Sequence, residues 1–167
     1  MNHAFVEVQQ ATKRFPAAQK GGEPLTVFED ISFQLNKGEF VCIIGHSGCG
    51  KSTIMNSLAG LDQFSDGAMV MEGKEIAGPS LERGVVFQNY SLLPWKTTLN
   101  NIVFAVRARW PQWSKEKVKE HSERYLKRVG LDHALNRKPS QLSGGMRQRV
   151  SIARAFATQP ELLLLDE

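Results

Sequence analysis

The spacing of apolar positions changes along this chain, and the changes mark out its elements. Phe5-Val6-Glu7-Val8 alternates with a period of two, as a half-buried strand does. Phe15-Pro16 and Lys20-Gly21-Gly22-Glu23-Pro24 interrupt it as a loop. Ile31 to Leu35 predicts a second strand, turned by Asn36-Lys37-Gly38. Phe40-Val41-Cys42-Ile43-Ile44 is continuously apolar, the pattern of a strand covered on both faces in a parallel sheet, and predicts a third. Beyond Gly45 a helix is predicted from Lys51 to about Ala59. A turn at Ser65-Asp66-Gly67 follows, then a strand near Ala68 to Met71 and another near Val85 to Phe87.

From Ser114 to Val129 the period becomes helical, with Val118, Tyr125, Leu126 and Val129 on one face, Ser114 as N-cap and Gly130 just past the end. A loop containing Pro139 leads to Ser143-Gly144-Gly145 and a second helical pattern, Met146 to Ala157, closed by Pro160. The last run, Leu162 to Leu165, reads as a buried strand ending in Asp166-Glu167. Strands alternating with helices predict an α/β chain with a mainly parallel sheet, and the helical middle reads as an inserted subdomain. An apolar strand with two residues after it predicts a domain that continues beyond Glu167.

Composition narrows the class. The chain has 167 residues, 41% apolar and 23% charged, which suits one globular domain, or most of one, and excludes disordered, collagenous or disulfide-scaffold chains. No apolar run approaches the roughly 18 residues that span a bilayer, and no secretory signal is visible at Met1 to Gln10. Cys42 and Cys49 predict a reducing compartment. The net charge of +4 is scattered and not clustered, which favours a solvated surface over nucleic acid.

Three stretches carry chemistry. Gly45-His46-Ser47-Gly48-Cys49-Gly50-Lys51-Ser52 fits G-x-x-x-x-G-K-[ST] at every fixed position, between an apolar run and a helix. Its glycines let the backbone form a nest whose N–H groups point at phosphate oxygens, and the following helix adds its positive end. Lys51 would reach the β- and γ-phosphates, Ser52 would ligate Mg²⁺, and Thr53 would donate to the α-phosphate of ATP. The plain alternative is a glycine-rich turn entering a helix. Asp166 and Glu167 lie at the exit of a strand, where open α/β sheets bind ligands. Asp166 suits an Mg²⁺ site and Glu167 a general base for water attacking the γ-phosphate, although many strands end in an acid. Leu142-Ser143-Gly144-Gly145-Met146-Arg147-Gln148 makes a second anion-binding helix start, or simply a capped one. The histidines are dispersed, with no cysteine at metal-ligand spacing.

Together and in this order, the three closely resemble ATP-binding-cassette ATPases over the whole chain, with Leu142 to Gln148 as that family's signature. The resemblance implies a P-loop NTPase (RecA-like) fold: a parallel-sheet core, an antiparallel β part and an inserted helical subdomain. It places the nucleotide-binding core and β part at about 1–90 and 158–167, the helical subdomain at about 96–142, and the signature with its helix at 142–157. It implies a head-to-tail dimer in which Leu142, Ser143, Gly144, Gly145, Met146 and Gln148 contact the ATP held by the partner's Gly45–Thr53 counterpart. Gln88 matches the glutamine that contacts Mg²⁺ and senses the membrane partner, and Phe15 matches the aromatic that stacks on adenine; an ordinary strand end and a core Phe are the alternatives. Glu167, Lys51 and Gln88 form the implied catalytic set.

Residues 46–50 and Glu82 to Trp95 look most like importers of nitrate, nitrite or cyanate, with taurine and alkanesulfonate importers next; Gly78-Pro79-Ser80 departs from the usual Gly-Pro-Gly. Leu92, Leu93 and Trp95 fit either local core packing or an exposed patch that receives a helix of the membrane subunit. The resemblance thus implies an importer ATPase at the cytoplasmic side of the bacterial inner membrane. It would work with transmembrane permease subunits and, indirectly, a periplasmic or surface solute-binding protein, and without nucleic acid. Chromosome-maintenance ATPases share the motifs but place a long coiled coil between phosphate loop and signature, and no sustained heptads separate Lys51 from Leu142 here. In the family a dimer-contact loop and a γ-phosphate histidine follow the acidic pair, so the chain as it stands is expected to bind nucleotide weakly and not to hydrolyse it.

Overall fold

In the computed structural model, which describes residues 4–17 and 22–166, Val6–Phe15 (β1) runs between two antiparallel neighbours. Leu25–Leu35 (β2) pairs with it on one side and Asp66–Met71 (β3) on the other; the short Lys74–Glu75 (β4) completes the order β2-β1-β3-β4. The alternation seen at Val6 and Val8 explains the register. Val6 faces Met71 and Val8 faces Met69, and all four side chains are buried, so each apolar position meets an apolar cross-strand partner. Lys13 is buried in the same strand. Its ammonium donates to Asp62 Oδ1 at 2.6 Å and to the Gln63 carbonyl at 2.7 Å, which compensates the buried charge and ties β1 to a later loop.

Lys51–Ala59 forms the first helix, α1, with the bounds the pattern predicts. It ends at Gly60 (φ +76°), where a side chain would stand 2.2 Å from the Gly78 carbonyl, so both the backbone conformation and the close approach require glycine.

Two expectations from the strand pattern fail. The sheet pairing among the described residues is mainly antiparallel, because the alternating strands of the first unit pair with one another. Phe40–Ile44 forms no strand, pairs with neither sheet among the described residues, and is exposed, Phe40 at 82% and Ile44 at 92%. A strand is completed by a neighbour's hydrogen bonds, and hydrophobicity alone does not supply them. The first two strands, by contrast, run longer than their alternating cores, because bulges and positive φ at Gln10 and Asp30 absorb the breaks in pattern.

The chain divides into two units, Met1–Ser80 and Leu81–Glu167. In the second, Arg83–Val86 (β5) and Leu162–Leu165 (β6) pair in parallel, from Arg83 opposite Leu162 to Val86 opposite Leu165. Three helices share its core: Thr98–Arg109 (α2), Lys115–Arg128 (α3) and Gly144–Ala157 (α4). Ile102, Val106, Val118, Leu126, Leu131 and Val150 are the larger of its fully buried members. Ser114 caps α3 by accepting from the Lys117 N–H at 3.2 Å, and Gly130 follows in left-handed conformation, as the sequence predicts. Glu116, in the first turn, is held below the usual carboxylate range by its own backbone N–H and then by Ser114.

The elements predicted from the apolar pattern do not include α2, although the helical subdomain implied at about 96–142 contains it. Its signal is nonetheless present: Leu99, Ile102, Val103 and Val106 follow helical spacing behind the N-cap Thr97. The polar residue among them, Asn101, is fully buried. Its amide donates to the carbonyls of Leu93, Lys96 and Thr97 and accepts from the Leu93 N–H, so it closes the preceding loop onto the helix. Beside α3, Trp110 and Trp113 stack at 4.3 Å and 3°, with His121 edge-on to both and donating from Nε2 to the Ala157 carbonyl at 2.9 Å.

Candidate functional site

Residues Gly45–Gly50 run as a turn into α1. Gly48 (φ +83°) and Gly50 (φ +97°) both take left-handed backbone, and a Cβ on Gly50 would come within 2.8 Å of Val27 Cγ1, so the loop can lie against β2 only with glycine there. The Ile54 N–H to the Gly50 carbonyl, at 3.0 Å, is the first helical bond, no side chain caps the helix, and its first turn holds no acid. The positive end of α1 is therefore presented to solvent beside the loop. Into this loop Lys51 folds back: its ammonium donates to the carbonyls of Gly45 and His46, both at 2.9 Å, and lies 4.0 Å from Cys49 Sγ. A cation resting on carbonyl oxygens beside an uncapped helix start has the chemistry that an oligophosphate calls for. Ser52 is exposed and Thr53 half-buried on the next turn; His46, Ser47 and Gly48 are exposed. Phe15, at the end of β1, is 39% exposed, and the Lys13 ammonium lies 4.9 Å from its ring centre. One face of that ring is thus occupied by a cation.

The remaining residues belong to the second unit. Gln88 follows β5 and Asp166 follows β6; the Asp166 N–H reaches the Val86 carbonyl at 3.0 Å, so the parallel pairing brings both residues to the same end of the strand pair. Glu167, expected as the base, lies outside the described residues. Ser143 caps α4 by accepting from the Met146 N–H at 3.3 Å. Leu142 is buried in the helical core, whereas Ser143, Gly145 and Gln148 are exposed and Gly144 and Met146 half-exposed. The leucine anchors the segment and leaves its polar start facing outward. Of the apolar trio after Gln88, Leu92 packs against the helical core and Trp95 is 69% exposed. Arg154, which donates to the turn after Gln88, is not among the residues the sequence points to; its signal there is a charge between two small apolar residues of a helix.

The cysteine expectation changes with the strand. Cys42, placed in a buried strand by its pattern, is exposed, and Cys49 in the loop is half-buried. Both are therefore open to a thiol reagent, but only Cys49 lies beside Lys51. Saturating Mg-ATP is expected to slow labelling of Cys49 and leave Cys42 as an internal control; equal labelling of Cys49 with and without ATP, read by mass spectrometry, would remove nucleotide from this loop.

Comparison with known proteins decides the family. The model for ABC transporter matches residues 28–167. The chain belongs to the ABC transporter family. Its relatives include the bicarbonate transport ATP-binding protein CmpD of Synechocystis sp., 48% identical over 98% of this chain and 57% of the relative. The nitrate import ATP-binding protein NrtD of Synechococcus elongatus is 44% identical over 100% of this chain and 60% of the relative. The nitrate transport protein NasD of Klebsiella oxytoca is 47% identical over 98% and 62%. The chain thus spans about three fifths of these relatives. Among solved structures, the dimeric post-hydrolysis ATP-binding cassette MJ0796 bound to ADP and Pi superimposes with a TM-score of 0.88 at 31% identity, covering 97% of this chain and 73% of that one. The ABC fold class read from the three motifs stands, with the parallel part here represented by β5 and β6.

Proposed function

We propose that this ABC protein is the ATP-binding and hydrolysing subunit of an importer for a small oxyanion, of which nitrate and bicarbonate are the candidates. The observation that carries the nucleotide half is the Lys51 ammonium folded onto two loop carbonyls at the uncapped start of α1. In this reading Lys51 exchanges those carbonyls for β- and γ-phosphate oxygens, the helix N–H groups hold the phosphates, and Phe15 offers its ring to adenine. The Ser52 hydroxyl and the Asp166 and Gln88 oxygens are hard donors of the kind Mg²⁺ takes, and the ion would neutralise phosphate charge. Glu167 would take the proton of the attacking water.

Leu142–Gln148 would close over the nucleotide of a second subunit in a head-to-tail dimer. The transport half is supported by the names of the relatives, nitrate and bicarbonate ATP-binding proteins. No helix among the described residues is long and apolar enough to cross a membrane. In this reading contact with the membrane runs through permease subunits, to which Trp95, exposed on the surface, is offered. In this reading the subunit would sit peripherally on the cytoplasmic face, with a solute-binding protein acting from the far side.

In the full-length subunit, Ser143→Arg is expected to leave ATP binding near the parental level and to abolish ATP-driven dimerisation, measured by light scattering. Dimerisation unaffected by that change would overturn the two-sided site. For the cargo, proteoliposomes carrying subunit, permease and binding protein should accumulate nitrate or bicarbonate only with ATP; turnover indifferent to permease and to both anions would overturn the importer reading.

A further inference from the structure

The turn after Gln88 is strained, and α4 holds it. Tyr90 (φ +63°) and Ser91 (φ +44°) both adopt left-handed backbone without being glycine. The turn is closed by the Tyr90 N–H to the Phe87 carbonyl at 3.0 Å and the Ser91 N–H to the Asn89 carbonyl at 2.8 Å. From α4, Arg154 donates through Nη1 to the Ser91 carbonyl at 2.7 Å and through Nη2 to the Tyr90 carbonyl at 3.1 Å. At the start of the same helix, the Tyr90 hydroxyl lies 3.7 Å from where a Cβ on Gly144 would stand, and the Arg147 guanidinium lies 5.8 Å from the Tyr90 ring centre. One turn of chain therefore touches α4 both at the Leu142–Gln148 segment and near its far end.

The chemistry of the clamp is specific. Among the described residues no carboxylate pairs with Arg154; its half-buried guanidinium is balanced by two successive carbonyl dipoles. Burial lowers the pKa of Arg154, but from so high a value that the group stays charged. A cation bound to backbone oxygens responds to where the chain runs and is indifferent to side-chain rotamers. The planar fork of arginine spans two carbonyls, which the single ammonium of lysine does not reproduce.

We propose that Arg154 is a positioning residue that locks the Gln88–Ser91 turn to α4, so that engagement of Leu142–Gln148 by a second subunit's nucleotide is transmitted to Gln88. This rests on the roles given to those residues under the proposed function. The test is hydrogen–deuterium exchange on the full-length subunit assembled with its permease, with and without ATP, in the parent, Arg154→Met and Arg154→Lys. In the parent, ATP should slow exchange in both Gly45–Thr53 and Gln88–Leu93. In both variants the protection of Gly45–Thr53 should persist, while the ATP-dependent protection of Gln88–Leu93 falls by about fivefold or more, the lower range of coupling between sites. The kcat for ATP should fall with it and KM should not.

A purely structural role would raise exchange at Gln88–Leu93 equally with and without ATP; that result, or full ATP-dependent protection in Arg154→Met, overturns the proposal. Should Arg154→Met fail to fold, Arg154→Lys, which keeps charge and stem, decides by the same criterion. Absence of protection at Gly45–Thr53 in the parent would instead overturn the nucleotide reading beneath it.

Discussion

Lys51→Ala is expected to reduce ATP turnover by the full-length subunit by about 10²-fold or more, the scale on which removal of one preorganised charge-stabilising donor slows an enzyme. The reason is local. Lys51 is the cation that the Gly45–Gly50 turn encloses, with the carbonyls of Gly45 and His46 as its present acceptors. Alanine keeps the helix, being the best helix former, and keeps the glycine turn, so the loss falls on charge and not on fold. Phosphate release is the measurement, and parental turnover in the variant would contradict the site. Lys51→Arg tests the geometry separately: it keeps the charge, but its broader head does not fit between two carbonyls both 2.9 Å from a single nitrogen.

The second large effect is on stability. Leu126→Ala should cost the helical unit about 2–5 kcal/mol, since Leu126 is fully buried among Ile102, Val118, Val150 and their neighbours, and its removal leaves a cavity between helices that cannot close. Lys119→Ala on the same helix should cost less than about 0.5 kcal/mol, because its ion pair with Glu123, at 3.8 Å, is exposed on both sides. Urea unfolding of the two variants is expected to separate them clearly; similar midpoints would mean that α3 is not packed as described.

These two helices also show what the sequence reveals and what it withholds. The α1 and α3 boundaries were legible because a glycine or serine at one end and a glycine at the other supply local backbone chemistry that acts within a few residues. Leu162–Leu165 was legible as a strand because its partner, Arg83–Val86, is on hand to complete it. Phe40–Ile44 was equally apolar and read with equal ease, yet it is neither paired nor covered. Its pattern describes an environment, and the environment is a property of other segments.

The site divides along the same line. The Gly45–Ser52 loop is contiguous, so its glycines, lysine and helix could be read in order. The turn after Gln88 was readable only as a motif. What holds it, Arg154, lies 63 residues from Ser91, and no periodicity connects them. Asn101 is illegible in the sequence for a related reason: a buried asparagine is explained by the carbonyls of Leu93, Lys96 and Thr97, which become its neighbours only when the loop folds back.

The distribution of chromophores across the two units has an experimental consequence. All three tryptophans (Trp95, Trp110 and Trp113) and both tyrosines (Tyr90 and Tyr125) fall within Leu81–Glu167, and Met1–Ser80 contains neither residue type. Tryptophan and tyrosine emission, and the tryptophan and tyrosine bands of near-ultraviolet dichroism, therefore originate outside the half that carries the glycine loop. The stacked, nearly parallel indoles of Trp110 and Trp113 couple their transition moments, and the excitonic couplet they give should vanish when the helices part. A melt followed by that couplet and one followed by far-ultraviolet dichroism, which senses both halves, will coincide only if the two units unfold as one cooperative body.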